Sequence, residues 1–205
     1  MLSVSLLPDF ICLLFFLFFC FCLWSYLLKS NKLTKIDTAF YNKIKIKPKT
    51  TFILKILTNF ASTKYFVLVC FFLLIFLKNK KLALIITIYL IIDSLIVSLL
   101  KHIFKRNRPN ILRLVEEKGY SYPSGHTTTG SCFYLFLCYL IIISFLPIYL
   151  KIILIFFFIL LILAIGFSRI YLGVHYFSDC VSGLLVGTSY CLVYVYFVSQ
   201  LLNLI

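Results

Sequence analysis

Six apolar runs constrain this chain more than any other feature: about 9–28, 64–77, 82–100, 127–146, 150–167 and 180–199. Most approach the roughly 20 residues that a helix needs to cross the hydrocarbon core of a bilayer. The sequence therefore predicts an all-α fold, an integral membrane bundle of six transmembrane helices. An apolar content of 63% and a mean hydropathy of +1.09 exclude an ordinary soluble domain. The second run is short, and it extends backward to Phe52 only by crossing Lys55 and Asn59. A buried or interfacial helix is the alternative at that run. The first run has no basic residue before Phe10, is long for a signal sequence and lacks a small-residue cleavage site. It reads as a retained anchor.

Six spans put both termini on one face of the membrane. Loop 29–63, loop 101–126 and the turn at 168–179 then share the other face, which keeps every polar motif on one side. No internal repeat or low-complexity linker divides residues 1–205, which read as a single domain. The eight cysteines fall within or beside apolar runs, where they act as small hydrophobes. The net charge of +14 is carried by loops, with no soluble domain to form a groove. Nucleic acid is thereby disfavoured, and the bilayer surface and a lipid phosphate are the expected partners. Lys29 to Lys49 interleaves Ile36, Phe40, Ile44 and Ile46 with lysines. It reads as a loop or amphipathic helix in the membrane interface, with gathering of anionic lipid as the functional alternative. Asp93 lies mid-span, where a carboxylate is costly and usually faces the bundle interior. A hydrogen bond to a nearby hydroxyl is expected there, with a proton relay as the alternative.

Polar chemistry concentrates in three segments: Lys101 to Pro109 (KHIFKRNRP), Tyr122 to His126 (YPSGH) and Ser168 to Asp179 (SRIYLGVHYFSD). Lys101 and Arg108 are seven residues apart, so a continuing helix would set both on one face before Pro109 ends it. Lys105, Arg106 and Arg113 read as a basic membrane flank. Ser124 and Gly125 suit a helix start, whose exposed N–H groups attract anions, and His126 there could protonate a leaving oxygen. His175 and Asp179 stand at i and i+4, so on a helix their side chains meet. A carboxylate against one ring nitrogen fixes the tautomer and frees the other nitrogen for attack. Arg169 can neutralise the phosphate that such a nucleophile approaches. The set is equipment for phosphoryl transfer without a metal.

The pattern K-x6-RP, then PSGH, then SR-x5-H-x3-D resembles that of the type 2 phosphatidic acid phosphatase family, related to the vanadium-dependent haloperoxidases. Lys101, Arg108 and Pro109, Pro123 through His126, and Ser168, Arg169, His175 and Asp179 carry the match. The surroundings of Asp37 and of Thr58-Asn59 also look like the family's weaker N-terminal pattern. The resemblance implies a haloperoxidase-like helical bundle and an integral-membrane lipid phosphatase working through a phosphohistidine. His175 would be the nucleophile, Asp179 its assistant and His126 the general acid. Lys101, Arg108, Ser124, Gly125 and Arg169 would hold phosphate oxygens. No metal or other cofactor is expected. Candidate substrates are undecaprenyl diphosphate, phosphatidic acid, phosphatidylglycerol phosphate or a lipid A phosphate. Transfer of the phosphoryl group to a lipid or sugar acceptor shares every one of these residues, and a non-catalytic lipid-binding protein is the remaining class. Only 13 residues separate Pro109 from Pro123, too few for a soluble cap, so substrate is expected to enter sideways from the bilayer.

Loop charge conflicts with one implication. The family's usual orientation puts the site on the non-cytoplasmic face of the inner or plasma membrane. Yet sixteen of the 20 basic residues fall on the motif face and four on the other. The positive-inside rule would assign the motif face to the cytoplasm, and nine basic residues outside the motif segments, Lys45 among them, keep that disagreement alive.

Overall fold

A computed structural model of the chain describes residues 7–44, 46–110 and 113–202; Lys45 lies outside them. Every regular element among the described residues is a helix, as the apolar runs predict. The order is α1 (Leu7–Lys29), α2 (Thr34–Lys43), α3 (Pro48–Asn59), α4 (Thr63–Phe76), α5 (Lys80–Phe104), α6 (Gly125–Ile143), α7 (Ile148–Tyr171) and α8 (Phe177–Leu202). α1, α5, α6, α7 and α8 are each long and apolar enough to cross a bilayer. α3 and α4 make a sixth span if counted together, bent by 42° at their break. The short second run thus does extend backward, but as a kinked pair. Ser62 restarts the helix after the break by accepting from the Tyr65 amide at 3.2 Å, and Asn59 ends the turn before it.

Composition decides which helix sits where. α1 and α7 are apolar all round and leave Phe15, Phe16, Phe18, Phe19, Phe156 and Phe157 exposed, as lipid-facing helices do. α6 is the central element, packed most heavily on α8 and next on α7, with α5 on its other flank. Its inward residues Thr127, Thr128, Gly130, Ser131 and Cys132 are small, which lets neighbouring backbones come close without a lipid-independent hydrophobic drive. α8 answers with Gly183 and Gly187, one turn apart. A Cβ on Gly183 would stand 2.9 Å from the Ser124 carbonyl oxygen, and one on Gly187 would collide with the Thr128 carbonyl. Farther along, Tyr89 of α5 stacks on Tyr190 and Tyr194 of α8, closing the interior at the end away from the motifs.

The interfacial segment is more ordered than a lysine-rich loop suggests. α2 docks on α8, and Phe40 stacks on Phe177 with centroids 3.9 Å apart. Its Asp37 is buried, which the interface reading does not anticipate. A second small core of Leu54, Tyr171, Leu172 and Val174 seats α3 beneath the turn between α7 and α8. Asp93 accepts from the Thr129 hydroxyl at 2.6 Å, the hydrogen-bonded outcome expected for it.

Close helix approach at Gly187 makes a direct prediction. Gly187→Ala should separate α6 from α8 and destabilise the protein by about 1–3 kcal/mol, the usual cost of overpacking. Gly166→Ala, whose new methyl meets Thr127 at an ordinary 3.6 Å, should be close to neutral. Thermal unfolding in detergent decides it, and equal melting temperatures for the two variants would contradict this packing.

Candidate active site

Three helix ends converge on one point. α5 ends at Phe104, and Lys105 turns the chain through a left-handed conformation (φ 48°), so Arg108 does not continue the helical face of Lys101. It comes in from the irregular segment that follows. α6 begins after Ser124, whose backbone is extended but whose hydroxyl accepts from the Thr127 hydroxyl at 2.9 Å, not from a backbone amide. The Ser124 amide donates to the Asp179 carbonyl at 3.0 Å, which hooks the start of α6 to the start of α8. α7 ends at Tyr171, and Gly173 just beyond it turns the chain at φ +74°, a conformation open to glycine. That reversal lets the amides of Val174 and His175 both donate to the Arg169 carbonyl at 3.2 Å. The SRIYLGVH spacing therefore folds His175 back over the helix end that carries Arg169.

His175 is fully enclosed, and its two ring nitrogens have different neighbours. Nε2 lies 3.2 Å from an Arg108 Nη1, a donor, so Nε2 holds the lone pair. The proton is then on Nδ1, which lies 3.5 Å from Asp179 Oδ2 and forms no hydrogen bond among the described residues. Burial first, then the charges of Arg169, Arg108 and Lys101, hold the His175 pKa well below the ordinary imidazole range. The ring is a neutral base at neutral pH. The expected His–Asp contact is thus present but looser than a hydrogen bond. Its looseness has a cause: Asp179 Oδ2 accepts from the Tyr176 amide at 2.9 Å, and Oδ1 pairs with Arg106.

Arg106 is the residue that sequence reasoning misplaced. It is an ion-pair hub, not a membrane flank. One Nη1 donates to Asp179 and to the Ser178 hydroxyl (2.7 Å), Nη2 donates to Asp37 at 2.7 Å, and the guanidinium lies 3.9 Å over the Tyr176 ring. Burial opposes its charge, but Asp179 and then Asp37 hold its pKa above the ordinary value. Asp37 also accepts from the Ser178 amide (2.9 Å) and hydroxyl (2.8 Å). Among the described residues Lys105 and Arg113 take no comparable part: Arg113 donates to the Pro109 carbonyl.

The remaining cations surround the ring. Arg108 donates to the carbonyls of Gly119, Lys118 and Val174, each at 3.0 Å, which clasps the connector to the α7–α8 turn. Arg169 donates to Thr58 at 3.0 Å and pairs with Glu117, while its Nε has no hydrogen-bond partner among the described residues. Lys101 brings its ammonium within 3.7 Å of the space a Gly125 methyl would fill, so glycine there leaves room beside the charge. His126 sits in the first turn of α6, close to the His175 ring and to Arg169, Lys101 and Arg108. Lys101, Arg108, His126, Arg169 and Asp179 thus lie near His175, with Ser124 and Gly125 at the start of α6.

A sequence model of the PAP2 superfamily matches residues 81–202, more than half of the chain. The chain belongs to the PAP2 superfamily. Among curated proteins, phosphatidylglycerophosphatase B of Bacillus subtilis (strain 168) is 35% identical over 97 residues, 46% of this chain. The match spans 47% of that relative's length. Among solved structures, the first transmembrane PAP2 type phosphatidylglycerolphosphate phosphatase from Bacillus subtilis superposes with a TM-score of 0.82. It is 22% identical and covers 91% of this chain and 96% of its own. Aquifex aeolicus LpxE follows at 0.61 and 23%, covering 80% and 94%. These likenesses establish the PAP2 helical fold, and with the apolar helices they make the chain an integral membrane protein.

Glu117 is the PAP2 site's unexpected member. Its carboxylate pairs with Arg169 and lies 4.0 Å from Arg108, among the cations expected to hold phosphate. It borders a cavity of about 580 Å³ that Asn107, Arg108 and Arg113 also line. A phosphate approaching Arg169 competes with this carboxylate. Glu117→Gln should therefore tighten binding of inorganic phosphate roughly tenfold, or ~1.4 kcal/mol, by calorimetry in detergent. Weaker binding in Glu117→Gln would instead make Glu117 the support that holds Arg169 in place.

Proposed function

We propose that this chain is a membrane lipid phosphatase that hydrolyses a lipid phosphate or diphosphate through a phosphohistidine on His175. The observation that carries the reading is the placement of that ring: enclosed, with Nε2 3.2 Å from an Arg108 donor and with Lys101, Arg108 and Arg169 bearing on it. A neutral imidazole is nucleophilic, and cations around it offset the charge of an incoming phosphate. The names of the relatives, phosphatidylglycerophosphatase B and a phosphatidylglycerolphosphate phosphatase, favour phosphatidylglycerophosphate as the first substrate to try. The apolar outer faces of the bundle suit a substrate whose acyl chains stay in the bilayer.

The chemistry follows from the placement. Nε2 of His175 attacks phosphorus, forming the P–N bond as the P–O bond to the lipid breaks. Arg108, already on Nε2, moves its donor to a phosphoryl oxygen; Arg169 Nε and Lys101 Nζ take the others. His126 gives its proton to the departing lipid oxygen. The Nδ1 proton stays on the ring, and the cation that results faces Asp179. Water then attacks the phosphohistidine, His126 takes a proton from it, and inorganic phosphate leaves with the ring restored.

Purified protein in detergent should release phosphate from phosphatidylglycerophosphate, phosphatidic acid or undecaprenyl diphosphate, at a rate EDTA leaves unchanged. No turnover of any of the three would sink the reading. His175→Ala should reduce every substrate to background. His126→Ala should lose roughly 10²–10⁴-fold, the usual worth of general acid catalysis. That loss should shrink for an aryl phosphate, whose leaving group needs less protonation; an equal loss on both substrates would remove His126 from that role.

A further inference from the structure

Asp37 lies on α2, upstream of the residues 81–202 that match the superfamily, yet its ion pair with Arg106 leads to Asp179, whose carboxylate lies 3.5 Å from the His175 ring. We propose that Asp37 and Arg106 are positioning residues for the nucleophile: they divide and aim the Asp179 carboxylate, and so set how strongly it draws on the His175 Nδ1 proton. This rests on the phosphatase reading, with His175 as nucleophile.

The geometry carries the argument. Asp179 has two oxygens and three claimants: Arg106 on Oδ1, the Tyr176 amide at 2.9 Å on Oδ2, and the His175 Nδ1 at 3.5 Å, also from Oδ2. Arg106 is itself divided. Its second nitrogen is 2.7 Å from Asp37, and the Tyr176 face below it fixes the plane of the guanidinium. Asp37 in turn is pinned by the Ser178 amide and hydroxyl, in the first turn of α8 and next to Asp179. Both carboxylates are inaccessible to solvent, so neither interaction is screened as a surface pair would be. Neither Asp37 nor Arg106 is placed against the ring itself. A brace alone would need only a tight fit; a planar fork that spans two carboxylates also apportions charge.

The sign of that apportioning is testable because His175 is surrounded by known charges. Asp179 on α8 favours its protonated form. Arg169 on α7, Arg108 and Lys101 disfavour it, His126 on α6 is a further neighbour, and Glu117 partly offsets Arg169 and Arg108. Arg106→Gln leaves Asp179 uncompensated, so the Asp179–His175 pair takes up a proton at higher pH, whichever group holds it. The acid limb of kcat/KM, which reports the free enzyme, should then move up by about one pH unit. Asp37→Asn should move it the other way, because Arg106 then serves Asp179 alone and a nearby negative charge is gone. Arg106→Lys should keep the limb near its wild-type position but still lower kcat, since an ammonium cannot fork. KM should change little in all three variants, while kcat falls by up to about 10²-fold.

The experiment pairs pH–rate profiles on one lipid phosphate with histidine titration by ¹⁵N NMR in detergent, practical because the chain has only 3 histidines. Opposite shifts of the His175 titration and of the acid limb in Arg106→Gln and Asp37→Asn support the positioning role. Loss of rate at every pH with an unmoved His175 titration overturns it and leaves a brace. If the wild type turns over no lipid phosphate, the phosphatase reading fails, and the titration still decides whether Asp37 and Arg106 govern this ring.

Discussion

One backbone hydrogen bond, from the Ser124 amide to the Asp179 carbonyl, ties together the two helix starts on which the site is built. It forms only because α6 and α8 approach to backbone contact. Gly183 and Gly187 on one side and Thr127, Thr128 and Ser131 on the other permit that approach. With larger residues the helices would stand apart, and His126 and His175 with them. Packing among small residues is therefore also the positioning of the catalytic candidates.

The second constraint is charge. Lys101, Arg106, Arg108 and Arg169 gather against Asp37, Glu117 and Asp179, four cations with three carboxylates, in a largely buried cluster. Isolated burial of any one would be prohibitive. Two of the carboxylates are bound into the scaffold through Ser178 and the start of α8, whereas Glu117 reaches in from an irregular connector and remains partly exposed. The cluster thus has a fixed part tied to the start of α8 and a more exposed part at Glu117, which the proposed substrate anion would displace.

Much of this was legible in the sequence, and the limits are physical. Hydropathy revealed the spans because a bilayer demands long apolar runs, and motif spacing revealed the residues around His175. The bend between α3 and α4 was not visible, since Asn59 and Ser62 are unremarkable polar residues until one ends a helix and the other caps the next. Arg106 was indistinguishable from Lys105 and Arg113. Only the left-handed turn at Lys105 sends it toward Asp179, and helical periodicity carries no information past that turn. Asp37 stood out only through the family's weaker N-terminal pattern, and its contacts could not be read from a basic interfacial stretch because its partners lie 69 and 141 residues away. Glu117 sits where no periodicity exists to read.

The central claim is that His175 bonds covalently to phosphorus. Rapid-quench labelling with a lipid whose phosphate is radioactive tests it most directly. The account predicts an acid-labile, base-stable label on the peptide containing His175, formed within one turnover and chased by unlabelled substrate. Label on the peptide containing His126, or full turnover with no protein-bound phosphate at any time, would contradict it.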